Sequence, residues 1–92
     1  MPERTEKEKM LAGERYNCLD PDLDLERQKV KTILRDFNQA PGRAERQIAL
    51  RKLLGVVGEG TQIEPPFHCV YGQNIYIGDQ VYINVHCAIL DC

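Results

Sequence analysis

The sequence predicts an α+β chain: an N-terminal helical segment, residues 1–57, followed at 58–92 by the first coils of a parallel β-helix built on hexapeptide repeats. Helix start and stop signals fill the first part. After Gly58-Glu59-Gly60 the period changes, and β-branched and aromatic residues take over. Within that second part Ile77, Ile83 and Ile89 recur at intervals of six.

The helical elements follow from their ends. Thr5-Glu6-Lys7-Glu8 has the form of a capping box, in which hydroxyl and carboxylate satisfy end amides reciprocally. It opens a short helix that carries Met10 and Leu11 and stops at Gly13. Asp20 caps a second helix, and Pro21 suits its first position because the missing N–H is not needed there. That helix places Leu23, Val30, Ile33, Leu34 and Phe37 on one stripe and ends at Pro41-Gly42. A third helix, through Ile48, Leu50, Leu53 and Leu54, closes at Gly55. All three are packing helices, without a catalytic constellation.

In the second part, Ile77, Ile83 and Ile89 each lead a block and turn inward to a narrow triangular core, while small or polar residues make the corners. His68-Cys69 recurs as His86-Cys87, eighteen positions on. In an uninterrupted solenoid these pairs stack in adjacent coils; an irregularity at Tyr71-Gly72-Gln73-Asn74 would break the match. Histidine and cysteine suit zinc or iron, but neighbours on a strand point to opposite faces. The favoured reading is inward cysteines and surface histidines, and no metal site is assigned.

Composition excludes several classes. Net charge is −2, and all 12 Lys and Arg lie between Arg4 and Lys52. From Leu53 onward the only charged side chains are Glu59, Glu64, Asp79 and Asp91. The basic residues have acidic neighbours at helical spacing, as in Glu26, Arg27, Lys29 and Lys31, with no aromatic interleaving. They read as solvated helix faces, not as a nucleic-acid surface. Apolar runs of only a few residues exclude a membrane span, and the charged N-terminus has no apolar secretory core. Cys18, Cys69, Cys87 and Cys92, with no CxxC pair, read as reduced thiols of a cytosolic protein, buried as small apolar groups.

The residues Met10-Leu-Ala-Gly13, Tyr16-Asn-Cys-Leu-Asp-Pro21 and Ile63-Glu-Pro-Pro-Phe-His-Cys69 carry a resemblance. So do Tyr71-Gly-Gln-Asn-Ile-Tyr-Ile-Gly-Asp79, Tyr82-Ile-Asn84 and Ile89-Leu-Asp91. With the three helices and the hexapeptide coils, nearly the whole chain resembles the maltose and galactoside O-acetyltransferase family. The resemblance implies a left-handed β-helix and a cytoplasmic homotrimer with active sites between subunits. It also implies transfer of an acetyl group from acetyl-CoA to a sugar hydroxyl, with a histidine as base and a donor to the oxyanion. By the same resemblance Asn84 matches the catalytic asparagine that orients the acceptor and stabilises the transition state. Tyr82 matches an acceptor contact, Asp91 with Cys92 beside it falls at an acceptor-binding carboxylate, and Asn17 lies where relatives offer a polar group to the sugar. The structural alternatives are a coil corner for Asn84, a wall residue for Tyr82, a loop carboxylate for Asp91 and a helix cap for Asn17.

Two departures qualify the resemblance. Val70 stands where relatives usually have an aspartate or serine that binds the acceptor, which removes one sugar contact. The family's catalytic histidine and acetyl-CoA contacts lie in later coils, and neither His68 nor His86 matches the base. The expectation is therefore a truncated N-terminal portion that is inactive alone, with an uncovered last coil. A non-catalytic interaction module is the second reading. The third is a β-helix metal enzyme of the γ-carbonic anhydrase kind that uses the His and Cys pairs. The helical segment and Tyr82-Ile83-Asn84 favour the sugar transferase.

Overall fold

The computed structural model describes residues 4–92. Helices α1 (Glu6–Leu11), α2 (Pro21–Gln39) and α3 (Arg43–Leu53) precede six short strands. These are β1 (Val56–Val57), β2 (Gln62–Ile63), β3 (Phe67–Cys69), β4 (Tyr76–Ile77), β5 (Tyr82–Ile83) and β6 (Cys87–Ile89).

The helix ends are chemically specified. The Thr5 hydroxyl accepts from the Glu8 N–H at 3.0 Å, and the Glu8 carboxylate accepts from the Thr5 N–H at 3.0 Å. The bond from the Thr5 backbone, then that from its side chain, holds the Glu8 carboxyl below its ordinary range. Beyond α1, Gly13 takes φ +76°, the left-handed stop that glycine adopts at little cost. Asp20 accepts from the N–H groups of Asp22 and Leu23 at the start of α2. At the far end Ala40 is extended, as the residue before a proline prefers to be.

The stripe on α2 packs on α3 and on the first coil. Phe37 and Phe67, both fully buried, meet edge to face with centroids 6.3 Å apart, and Leu50, Leu53, Leu54, Ile63 and Ile77 complete the core. Side-chain amides satisfy the coil's backbone where no strand covers it. Asn38 donates to the Phe67 carbonyl at 3.0 Å and accepts from the Phe67 N–H at 2.9 Å, as a neighbouring strand would. Gln47 donates to the Thr61 carbonyl at 2.9 Å. The helices thus close one end of the solenoid with polar as well as apolar contacts.

The strands form three parallel pairs, β1–β4, β2–β5 and β3–β6, one for each wall of the coil. Every pair has a register of twenty residues: Val56 with Tyr76, Gln62 with Tyr82, and Phe67 with Cys87. Val57, Ile63 and Cys69 stack beneath Ile77, Ile83 and Ile89 and pack on or within the core. The spacing is six within a coil but eight from Cys69 to Ile77, because the corner at 70–76 holds two extra residues. This corrects the expected stacking of the His-Cys pairs: His68 lies against Ala88, and Cys87 lies against Phe67. His86 sits in the turn before β6 with φ +60°, and both histidines are exposed.

The cysteines divide. Cys69 and Cys87 are half-buried against the core, as expected of inward thiols. Cys18 and Cys92 are exposed, contrary to the expectation of burial, because one lies in the α1–α2 connection and the other follows the last strand. All four thiols are free. Among the described residues no helix is long and apolar enough to cross a membrane.

Candidate functional site

The corner with the extra residues builds an unusual carboxylate environment. Tyr71 lies one coil beneath Asp91, but the contact between them is not a backbone ladder. Instead, Asp91 Oδ1 accepts from two consecutive amides, the Val70 N–H at 3.0 Å and the Tyr71 N–H at 2.9 Å. Asn74 Nδ2 donates to the Asp91 carbonyl at 2.8 Å and fixes the backbone of the same residue. The second carboxylate oxygen, Oδ2, is buried and has no hydrogen-bond partner among the described residues. An acceptor in that state forfeits its hydration without replacement.

The two residues whose amides hold this carboxylate belong to an apolar and aromatic cluster. Val70 and Tyr16 pack on a small cluster of Met10, Leu23 and Tyr71, which joins α1 and α2 to the corner. Tyr16 lies beside Cys92, and desolvation first, then Cys92, push its phenol above its ordinary range. Burial, with the negative charge of Asp91 as the second cause, pushes the Cys69 thiol up to about 12. A thiol so placed stays protonated and is no nucleophile at neutral pH.

The structure brings together some of the residues singled out in the sequence. Val70 and Asp91 meet at this corner, and Cys92 lies beside Tyr16, which packs with Val70 on the same cluster. Tyr82 stands elsewhere, 59% exposed on β5, with its backbone paired to Gln62. Asn84 is exposed in the β5–β6 turn, where its Oδ1 accepts from the Val85 N–H at 2.8 Å. Asn17 is exposed in the α1–α2 connection; its Oδ1 accepts from the Leu19 N–H at 3.0 Å, and its own N–H donates to Glu6 at 2.6 Å. Tyr16, Tyr71 and Asn74 were not expected at the site. The hint available for the last two is the broken hexapeptide period at 71–74.

A second concavity lies on the other side of the same corner. This cleft of about 220 Å³ is bordered by Lys7, Glu26, Lys29, Val30, Leu53 and Tyr71, among others. Glu26 uses Oε1 to accept from Lys7 Nζ at 2.7 Å. Among the described residues no group of three or more His, Cys, Asp or Glu side chains is placed to hold a metal ion.

Comparison with known proteins gives a consistent outcome. Residues 9–58 match the family described as the maltose acetyltransferase hexapeptide capping motif. Nodulation protein L of Rhizobium meliloti is 48% identical over 90 residues, covering 96% of this chain and 49% of that protein. A hexapeptide-repeat acetyltransferase from Vibrio cholerae, solved with acetyl coenzyme A, superposes with a TM-score of 0.85 at 35% identity, over 96% of this chain and 48% of that one. A maltose O-acetyltransferase from Clostridium difficile gives 0.83 at 32% identity, over 95% and 58% respectively. The chain spans about half the length of the curated relatives it matches. Helices laid over the first of two hexapeptide coils, and the match across residues 9–58, make this chain a member of the maltose acetyltransferase hexapeptide capping motif family.

Proposed function

We propose that this chain forms the acceptor side of an acetyl-CoA-dependent O-acetyltransferase acting on a sugar hydroxyl. One observation carries the reading: the Asp91 carboxylate is locked through Oδ1 on two amides, and its Oδ2 is withdrawn from water with no donor among the described residues. A sugar hydroxyl is a suitable donor, because it satisfies the oxygen without bringing a second charge into a partly apolar site. Bound there, one hydroxyl would anchor the ring so that another is held in a fixed direction for transfer. The side-chain NH₂ of exposed Asn84 is a donor that could orient the acceptor or meet a developing oxyanion. Tyr82 offers an exposed ring for a sugar face, Asn17 a polar edge and Cys92 a small neighbour. Val70 contributes only its N–H, and that is already committed to Asp91.

The donor is assigned by similarity to the Vibrio acetyltransferase solved with acetyl coenzyme A. The described coils do not themselves fit it. From Leu53 to Cys92 there is no Lys or Arg to answer its phosphates, so no donor groove is assigned to these residues. His68 and His86 are both exposed, and neither is assigned as the base. The proposal includes a homotrimer in the cytoplasm. It is supported by exposed Val56 and Tyr76 on the paired strands β1 and β4, a surface suited to a second copy, and by four free thiols.

The test is acetyl transfer from acetyl-CoA by the intact protein to maltose, glucose and galactosides, followed as release of the coenzyme thiol. Transfer is expected, and Asp91→Asn is expected to raise acceptor KM about tenfold with a smaller change in kcat. Absence of transfer to every sugar, or an unchanged acceptor KM in Asp91→Asn, would overturn the reading.

A further inference from the structure

We propose that Arg27, on helix α2, is a positioning residue for the Asp91 carboxylate and acts through Tyr71. The inference rests on the reading of Asp91 as an acceptor-binding group, but its geometry stands apart from that reading. Arg27 Nη1 donates to the Tyr71 phenol oxygen at 2.8 Å across a sequence separation of 44 residues. One helical turn earlier, Asp24 Oδ1 lies 3.5 Å from Arg27 Nη2 and steadies the guanidinium. Tyr71 is 5% exposed and packs on Met10 and Leu23. A phenol this deep needs a polar partner, and Arg27 supplies it.

Tyr71 is also the residue whose N–H, with that of Val70, holds Asp91 Oδ1. The next residue, Gly72, has φ +80°, and a Cβ there would come within 2.4 Å of the Leu53 carbonyl oxygen. The corner is therefore pinned on both sides of the clamping amides: Gly72 against α3, and the Tyr71 side chain against α2. Removal of the second anchor lets the Val70 and Tyr71 amides swing about the first. Asp91 then loses the fixed direction of Oδ2, although no group that touches the carboxylate has changed. Arg27 itself need not contact the acceptor; it sets how sharply Asp91 is aimed.

The experiment compares Arg27→Met, Arg27→Lys and Tyr71→Phe with the unaltered intact protein by two readouts. Amide hydrogen exchange at single residues is expected to accelerate about tenfold at Val70 and Tyr71 in Arg27→Met and Tyr71→Phe, with the Phe67 amide on β3 unchanged. Arg27→Lys, which keeps a cationic donor, is expected to restore much of the protection. With maltose, acceptor KM is expected to rise about fivefold while kcat stays within about twofold. Uniform acceleration along β3 and the corner would mean a merely structural role and would overturn the proposal, as would unchanged exchange at Val70 and Tyr71. Should the unaltered protein transfer no acetyl group, the functional reading fails while the exchange data still decide whether Arg27 governs the clamp. Should Arg27→Met not fold, Tyr71→Phe, which removes one oxygen and no packing surface, decides alone.

Discussion

Cys69 and Asp91 show how a single position acquires its chemistry from neighbours distant in sequence. Burial at the coil wall and the nearby carboxylate both disfavour a thiolate at Cys69, which is why its thiol is pushed up to about 12 from an ordinary 9.0. At about pH 8, maleimide is expected to modify exposed Cys18 and Cys92 in the folded protein and to spare Cys69 until the chain unfolds. Labelling followed by peptide mass analysis checks this, and equal labelling of Cys69 would contradict it. The same shift has a sign in stability. The folded state holds this proton more tightly than the unfolded state, so the contribution is intact below about 9 and is lost as pH rises toward about 12. Cys69→Ala is expected to lack that part of the alkaline loss. Arg27 and Tyr71 were invisible as partners in the sequence, because only the folded corner brings residues 44 positions apart into contact.

Among the elements, the helices were the most legible, because each announces its ends: the Thr5 box, Asp20 before Pro21, and the break at Pro41-Gly42. The second coil was legible from Ile77, Ile83 and Ile89, three aliphatic residues of one kind at even spacing. The first coil was less so. Its inward set is Val57, Ile63 and Cys69, mixed in size and type, and Val57 comes only four residues after the end of α3. The two extra residues of the corner hid the true period, since hydrophobic spacing cannot distinguish a loop insertion from a new block. Glycine substitutions separate the constrained corner from an ordinary helix stop. Gly72→Ala meets both a positive φ and the Leu53 carbonyl oxygen, and is expected to cost about 3 kcal/mol. Gly13→Ala has a similar φ but open space around the new methyl, and is expected to cost about 1 kcal/mol. Chemical denaturation of the two variants checks the order; equal losses would mean that the corner is not held against α3.

For the whole molecule, the two ends of the coil stack differ. On the helical side, Asn38 and Gln47 satisfy backbone groups of the first coil, and Phe37 seals the core against Phe67. On the far side, β4, β5 and β6 each pair with one strand only among the described residues. Tyr82, Val85 and Leu90 add apolar surface there, and Leu90 is 75% exposed. Unpaired parallel edges beside apolar surface are templates for association. A polypeptide of these 92 residues, produced alone, is therefore expected to self-associate with rising concentration in sedimentation velocity. A monodisperse monomer with a cooperative melt would contradict that.

The uniform register also constrains how a gene for such a chain can change. Because all three walls advance by the same twenty residues, a duplication or loss of DNA spanning one whole coil leaves every wall in step and merely lengthens or shortens the stack. An in-frame change of one codon within a wall instead turns that wall's inward side chains outward. The corner between Cys69 and Ile77 is the place where such small changes can be absorbed, and it is also where the clamp on Asp91 is built. Lineages that vary the length of that corner would thereby be moving the amides that hold Asp91.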